Sequence, residues 1–219
     1  MRALSRGLRA IGTTRGISMM EVIVVLAVVG VLAATLTPMV LNYFEDSKIQ
    51  RAISDVKTLG GVIVNLTRDV AHFPLYTDGI RTTGTPTIEL LQGPGNDPQD
   101  HTDATKRWLT PALKFPLENH LIKNCPAGAT VDATGNDCGT KYPSTGRFHW
   151  KGPYLEKITE DPWGNRYLVN IKNADPAANP AKVVYVISCG PNGKCETDPN
   201  ALADSGPVAG GDDIALRLK

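Results

Sequence analysis

The 219-residue sequence predicts an α+β fold, a long N-terminal α-helix packed on a small C-terminal antiparallel β-sheet with long loops. Three observations carry that expectation. Residues 22–44 are an unbroken uncharged run; apolar residues then recur at helical spacing up to Val70; and β-rich stretches punctuated by turn residues follow residue 150.

The first half of the helix is membrane-like. If helical, residues 22–44 span ~34 Å, enough to cross the hydrocarbon core of a bilayer. Before them, residues 1–16 carry Arg2, Arg6, Arg9 and Arg15 and no acid. That leader is too short and too polar to be the apolar region of a secretory signal, and its positive charge places it on the cytoplasmic side with the remainder translocated. Glu21 sits at the mouth of the apolar run. An intramembrane acid costs about 2.5–3.5 kcal/mol on insertion scales, so Glu21 calls for a partner.

The second half is amphipathic. Ile49, Ile53, Val56, Leu59, Ile63, Leu66 and Val70 advance in steps of three and four and mark one face, with Lys48, Arg51, Asp55, Lys57, Arg68 and Asp69 on the others. The helix is expected to reach about Ala71 and to end at Phe73-Pro74. Pro38, which removes a backbone hydrogen bond, is expected to bend it, and Gly60-Gly61 is a second weak point.

Most of the 21 glycines and 16 prolines follow residue 73, so the C-terminal half is rich in loops. Residues 74–150 read as irregular, with short helices or turns at residues 87–92 and 108–121. Beyond them, Asp161-Pro162-Trp163-Gly164-Asn165 is a turn feeding a strand at residues 166–171, with Trp163 expected to be buried. Residues 182–188 and 213–218 complete a sheet of about three strands. Four cysteines in an exported chain favour disulfides. Cys125 and Cys138 bracket one loop, and Cys189 and Cys195 lie close enough in sequence to close another.

Gly16, Ile17-Ser18-Met19-Met20-Glu21 and the apolar helix with Pro38 together closely resemble the leader of the type IV pilin-like family, which includes the pseudopilins of type II secretion. The resemblance implies cleavage between Gly16 and Ile17 by a prepilin peptidase and N-methylation of Ile17, although Ile17 departs from the commoner Phe or Met. Glu21 becomes the fifth residue of the trimmed chain. Its carboxylate and the new α-amine would offset each other's desolvation, within one subunit or between neighbours, and would set register in filament assembly. A second match is independent of the leader. Gly152-Pro153-Tyr154-Leu155 leading to Asp161-Pro162-Trp163-Gly164-Asn165 is similar to the major pseudopilins and narrows the resemblance to type II secretion.

The resemblance also implies a calcium ion in the loop between the last two strands. Such a cation takes roughly six to eight oxygens, and Asn192, Asp198, Asp212 and Asp213 are the candidate ligands, with Glu196 and Asp204 as further acids nearby. The family's Gly-Ala-Asp-Gly turn stands here as Gly190-Pro191-Asn192-Gly193. Calcium and a Cys189–Cys195 disulfide are thus alternative or joint means of ordering one loop. By this reading residues 1–16 are the cytoplasmic leader, 17–44 the transmembrane and assembly half of the helix, 45–72 its amphipathic half, and 73–219 the globular domain.

Composition gives no case for a nucleic-acid role, because the net charge is +1 and the chain without its leader carries 19 basic and 22 acidic residues. No His-Glu-x-x-His pair, nucleophile elbow or phosphate loop occurs, and His72, His101, His120 and His149 are scattered. An enzyme is therefore not expected. The resemblance implies a structural subunit that polymerises with itself and meets a prepilin peptidase, an inner-membrane assembly platform and minor pseudopilins. It would be a single-pass inner-membrane protein with a periplasmic C-terminal domain before assembly. The filament would stand in the periplasm or at the cell surface. The alternative is a type IV pilus or other surface filament in which the enlarged 73–150 segment binds a partner.

Overall fold

The computed structural model describes residues 16–77, 79, 88–111, 113–126, 141–175, 182–202 and 209–219. Helix α1 runs Met19–Val70, and the chain divides into two compact units, Met1–Glu45 and Asp46–Lys219, each described by itself.

In the first unit, Ser18 starts α1. Its Oγ accepts from Met20 N at 3.3 Å and its carbonyl from Val22 N at 3.1 Å. With Glu21 three positions on, the sequence has the order of a capping box, and the acid lies in the first turn, where the helix dipole favours it. Everything from Val22 to Phe44 is exposed, including Leu26, Val31 and Leu41. Pro38 lies within α1, which continues as helix through it.

In the second unit, the expected helical face is the buried one: Val56, Leu59, Ile63, Leu66 and Val70 all enter the core. Gly60 is no weak point. A Cβ there would overlap the side chain of Leu216 and press on Leu218, so the missing side chain lets the sheet approach the helix, whereas Gly61 faces open space. The helix ends one step earlier than Phe73-Pro74 implies. Ala71 takes a left-handed conformation at φ 64°, the usual geometry just past a helix C-terminus. Beside this end, Asp69 accepts from Lys151 Nζ at 2.8 Å and Tyr154 Oη at 3.0 Å.

Among the described residues the sheet has five strands rather than three: β1 Leu90–Gln92, β2 Lys114–Pro116, β3 Leu168–Val169, β4 Tyr185–Ser188 and β5 Ile214–Arg217, in the order β2-β1-β3-β4-β5. A short helix, α2 Leu117–Leu121, follows β2 directly. The three expected strands pair antiparallel, as β3 with β4 and β4 with β5. The two extra strands come from the 73–150 segment, where β1 joins β3 antiparallel and β2 joins β1 in parallel. The sheet is therefore mixed and mostly antiparallel.

Why the segment is recruited follows from β4. Successive strand residues point to opposite faces, and here Val184 and Val186 enter the core under α1 while Val183, Tyr185 and Ile187 enter a second core on the other face. Leu90 and Leu168 join that second core, together with Trp108, Cys189 and Cys195. A sheet apolar on both faces needs two covers. The helix supplies one; the segment between α1 and β3, hereafter the inserted segment, and the 189–195 loop supply the other.

Candidate functional site

Two places bear the expected site residues. The first is the start of α1. Gly16 and Ile17 precede the helix, without regular secondary structure, and Ile17 is 76 % exposed. Backbone of this kind is open to a peptidase. Glu21 lines a shallow cleft of about 250 Å³ with Ile17, Val22, Val25 and Leu26. The acid and the residue that would carry a freed α-amine thus share one apolar surface. Residues 1–15 of the leader lie outside the described residues.

The second place is the loop between β4 and β5. Its base is the Asp161 turn. Asp161 is buried, and its Oδ1 accepts from Trp163 N at 3.0 Å and Asn165 N at 2.8 Å, while Oδ2 accepts from Ser188 Oγ at 2.7 Å on β4. One carboxylate thereby shapes the turn and ties it to the strand. Gly164, at φ 86°, supplies the left-handed position that turn needs. Trp163 is only partly buried, contrary to the sequence expectation; the buried indole of this region is Trp108.

Above that base, Cys189 and Cys195 form a disulfide across a sequence separation of 6 with Cα atoms 4.6 Å apart, and both are fully buried. Cys125 is also disulfide-bonded; Cys138, its expected partner, lies outside the described residues. Within the crosslinked loop, Asn192 N donates to Asp212 Oδ2 at 3.0 Å. Gly190, at φ 64°, brings the backbone so near the Asp212 carbonyl that any Cβ would overlap it. Immediately after the crosslink, Glu196 N, Thr197 N and Thr197 Oγ1 donate to Asp213 Oδ2 at 2.8, 2.6 and 2.7 Å.

The aspartates keep one oxygen each in reserve. Asp212 Oδ1 and Asp213 Oδ1 are buried and have no hydrogen-bond partner among the described residues. Burial pushes the Asp213 carboxyl above its ordinary range, against the pull of the Thr197 and Glu196 donors, and the Asp212 charge pushes it further. Two buried, unsatisfied carboxylate oxygens are costly, and their chemistry fits a hard divalent cation. Asn192 and Asp212 are in contact, whereas Asp198 accepts from Asn200 N at 2.8 Å in a turn of its own. Among the described residues no cluster of three acid, His or Cys ligands converges, and Asp204 is not among them.

The inserted segment holds this loop from outside, which sequence reasoning missed. Gln99 N donates to Gly193 O at 2.7 Å and Cys195 N to Gln99 O at 2.9 Å. Asp100 fixes the next turn, accepting from Trp108 N at 2.6 Å and Leu109 N at 3.1 Å, and Trp108 Nε1 donates to Thr197 O at 2.7 Å. Asn96 pairs with the Asp161 turn, accepting from Arg166 N and donating to Gly164 O. The readable signal was the unbroken apolar run at residues 183–187, which is the pattern of a strand buried on both faces.

The family model described as Type II secretion system (T2SS), protein G matches residues 136–203, the stretch containing the Asp161 turn, β3, β4 and the disulfide loop. Among curated proteins, the Type II secretion system core protein G of Escherichia coli (strain K12) is 22% identical over 191 residues, covering 87% of this chain and 91% of that protein. No solved structure matches the chain.

Proposed function

We propose that the chain is a major pseudopilin, a structural and not enzymatic member of the type II secretion system protein G family of type IV pilin-like proteins, as its similarity to that family supports. We propose that it is stored in the inner membrane by residues 17–44 with its C-terminal domain in the periplasm. A prepilin peptidase then cuts it after Gly16 and methylates Ile17, and the trimmed chains stack through their apolar helices into a short filament. The observation that carries this reading is the wholly exposed apolar length of α1 placed directly behind Gly16 and Glu21. A face that apolar needs lipid in the stored state and neighbouring helices in the assembled one.

Glu21 is the assembly residue of this proposal. Cleavage leaves a charged amine on Ile17 beside the carboxylate on one apolar surface, and pairing of the two offsets both desolvation costs. Pro38, within the membrane-length part of α1, is the second assembly position, where the missing N–H loosens the helix for packing against neighbours. The inner-membrane assembly platform and minor pseudopilins are the further partners. At the acidic loop, Asp212 Oδ1 and Asp213 Oδ1 would hold a calcium ion, with Asn192 and Asp198 as the other candidate ligands; bound there, the cation would neutralise the two buried acids and order the loop.

Complementation tests the function. In a strain lacking the chain, exoproteins should accumulate in the periplasm, and the full chain should restore them to the medium. Restoration by a variant whose Gly16 cleavage is blocked would contradict the proposal.

A further inference from the structure

On the sheet face away from α1, a cleft of about 320 Å³ lies between the inserted segment and the turns after β3 and before residue 201. It takes no part in the acidic loop or the helix start. One wall is the short 3₁₀ turn Ala104–Lys106 with Arg107, the other is the 3₁₀ turn Ile171–Ala174, and Asn200 Nδ2 ties the first wall to the cleft's base by donating to Thr105 O at 3.0 Å. Its size falls at the lower end of small-ligand clefts.

Two buried asparagines, Asn170 and Asn173, line it, and they differ. Both donate through Nδ2 to Val183 O and Pro199 O, at 3.0 and 2.7 Å from Asn170 and at 2.9 and 2.7 Å from Asn173. Those paired donations fix both amides, because a flipped amide would set oxygen against two carbonyls. Asn170 Oδ1 is then satisfied by Tyr185 N at 2.6 Å. Asn173 Oδ1 receives no hydrogen bond from any described residue, although Asn173 is only 4 % exposed. An acceptor of an otherwise buried and fixed side chain, open at a cleft, is a ready-made place for a ligand donor to replace water.

The charges point to the rest of the ligand. Lys172 pairs with Glu89 across the cleft wall, so those two charges offset each other. Arg107 makes no hydrogen bond or ion pair with any described residue and is exposed at the rim. A guanidinium is the side chain best shaped to take a carboxylate through two parallel hydrogen bonds. Between acceptor and cation, Pro111 and Pro199 give the cleft apolar edges.

We propose that this cleft binds an acidic peptide segment, with a backbone N–H given to Asn173 Oδ1 and a side-chain or terminal carboxylate held by Arg107. An N–H next to a carboxylate, joined by an apolar carbon, is the chemistry of an aspartyl or glutamyl residue. The sheet backbone bordering the cleft is already paired, since Glu89 N and Leu90 N donate to Leu113 O and Lys172 N to Glu89 O. Recognition is therefore by side chains and not by strand addition. This site is separate from the filament reading and does not depend on it.

The test uses the full chain in detergent micelles, titrated by calorimetry with an N-acetylated, amidated Gly-Asp-Gly peptide, its Gly-Asn-Gly counterpart, and glucuronate. The aspartyl peptide should bind saturably. The asparaginyl peptide and an Arg107→Gln variant should each lower affinity about tenfold or more, with the variant's melting temperature unchanged because Arg107 lies at the surface. Four results would overturn the proposal. They are equal affinity for the two peptides, unchanged affinity in Arg107→Gln, tighter binding of glucuronate than of the aspartyl peptide, and no saturable binding below about 10 mM.

Discussion

Trp108 Nε1 donates to the carbonyl of Thr197 at 2.7 Å, and Thr197 in turn gives its N–H and its hydroxyl to Asp213. Besides the Gln99 contacts, the inserted segment is thus linked to Asp213 of the acidic loop through Thr197. Replacing Trp108 by Phe keeps an aromatic ring in the second core and removes the donor, leaving a buried carbonyl unsatisfied. The expected cost is about 1–3 kcal/mol, read as a lower denaturant midpoint; Trp108→Ala should cost about 3–5 kcal/mol. A Phe variant with the stability of the parent would show that the indole N–H contributes nothing.

The two adjacent glycines of α1 should respond oppositely to alanine. A methyl group at Gly60 meets Leu216 and Leu218, whereas at Gly61 it meets nothing within 4 Å. Gly60→Ala is expected to destabilise by about 1–3 kcal/mol through overpacking. Gly61→Ala is expected to stabilise by up to about 1 kcal/mol through helix propensity. Thermal melts of both variants check the pair.

His120 should make the globular unit acid-sensitive. It is fully buried, its Nδ1 lies 2.7 Å from Tyr142 Oη, its Nε2 has no partner among the described residues, and burial lowers its pKa from 6.5 to about 3. The unfolded chain therefore takes up the proton more readily than the folded one. The stability due to neutral His120 is complete above pH 6.5 and is lost as pH falls toward 3, by about 1.4 kcal/mol per pH unit at most. Stability measured between pH 7 and 4 should fall less steeply in His120→Gln than in the parent, whatever the variant's starting stability. Parallel pH profiles would count against this account.

Calcium removal tests the acidic loop. A cation that binds only the folded form at about a hundredfold excess over its Kd adds about 2.7 kcal/mol. A chelator should lower the melting temperature of the parent, and Asp212→Asn, which removes one charge from the pair while keeping an acceptor for Asn192 N, should shrink that response. A melting temperature indifferent to calcium and chelator, with the disulfide intact, would remove the cation from the account.

How far these features were legible in the sequence depended on how local their causes are. Ile49 to Val70 announced the buried face of α1 because a helix writes its packing at steps of three and four. β4 was visible as a run of β-branched and aromatic residues, and β5 as an alternation at period two. β1 and β2 were not: Leu90, Leu91 and Gln92 make too short a run to separate strand from turn, and what makes them a strand is pairing with residues 168–169, far along the chain. Trp108 and Trp163 are alike as letters, yet Trp108 fills the second core while Trp163 stays half-exposed beside a turn built by Asp161. In the loop, Asp213 and Asp198 are equally acidic. Only the fold reveals that Asp213 keeps an unsatisfied buried oxygen and that Asp198 spends one of its own on Asn200.

The central claim is that Glu21 exists to meet the amine released by cleavage after Gly16. The direct measurement is assembly of Glu21→Ala beside the parent, in the presence of the prepilin peptidase and assembly platform, with the N-terminus of each protein sequenced. Both chains should begin at Ile17, and only the parent should appear in the filament fraction. A Glu21→Ala chain that begins at Ile17 and enters filaments as well as the parent would contradict the account.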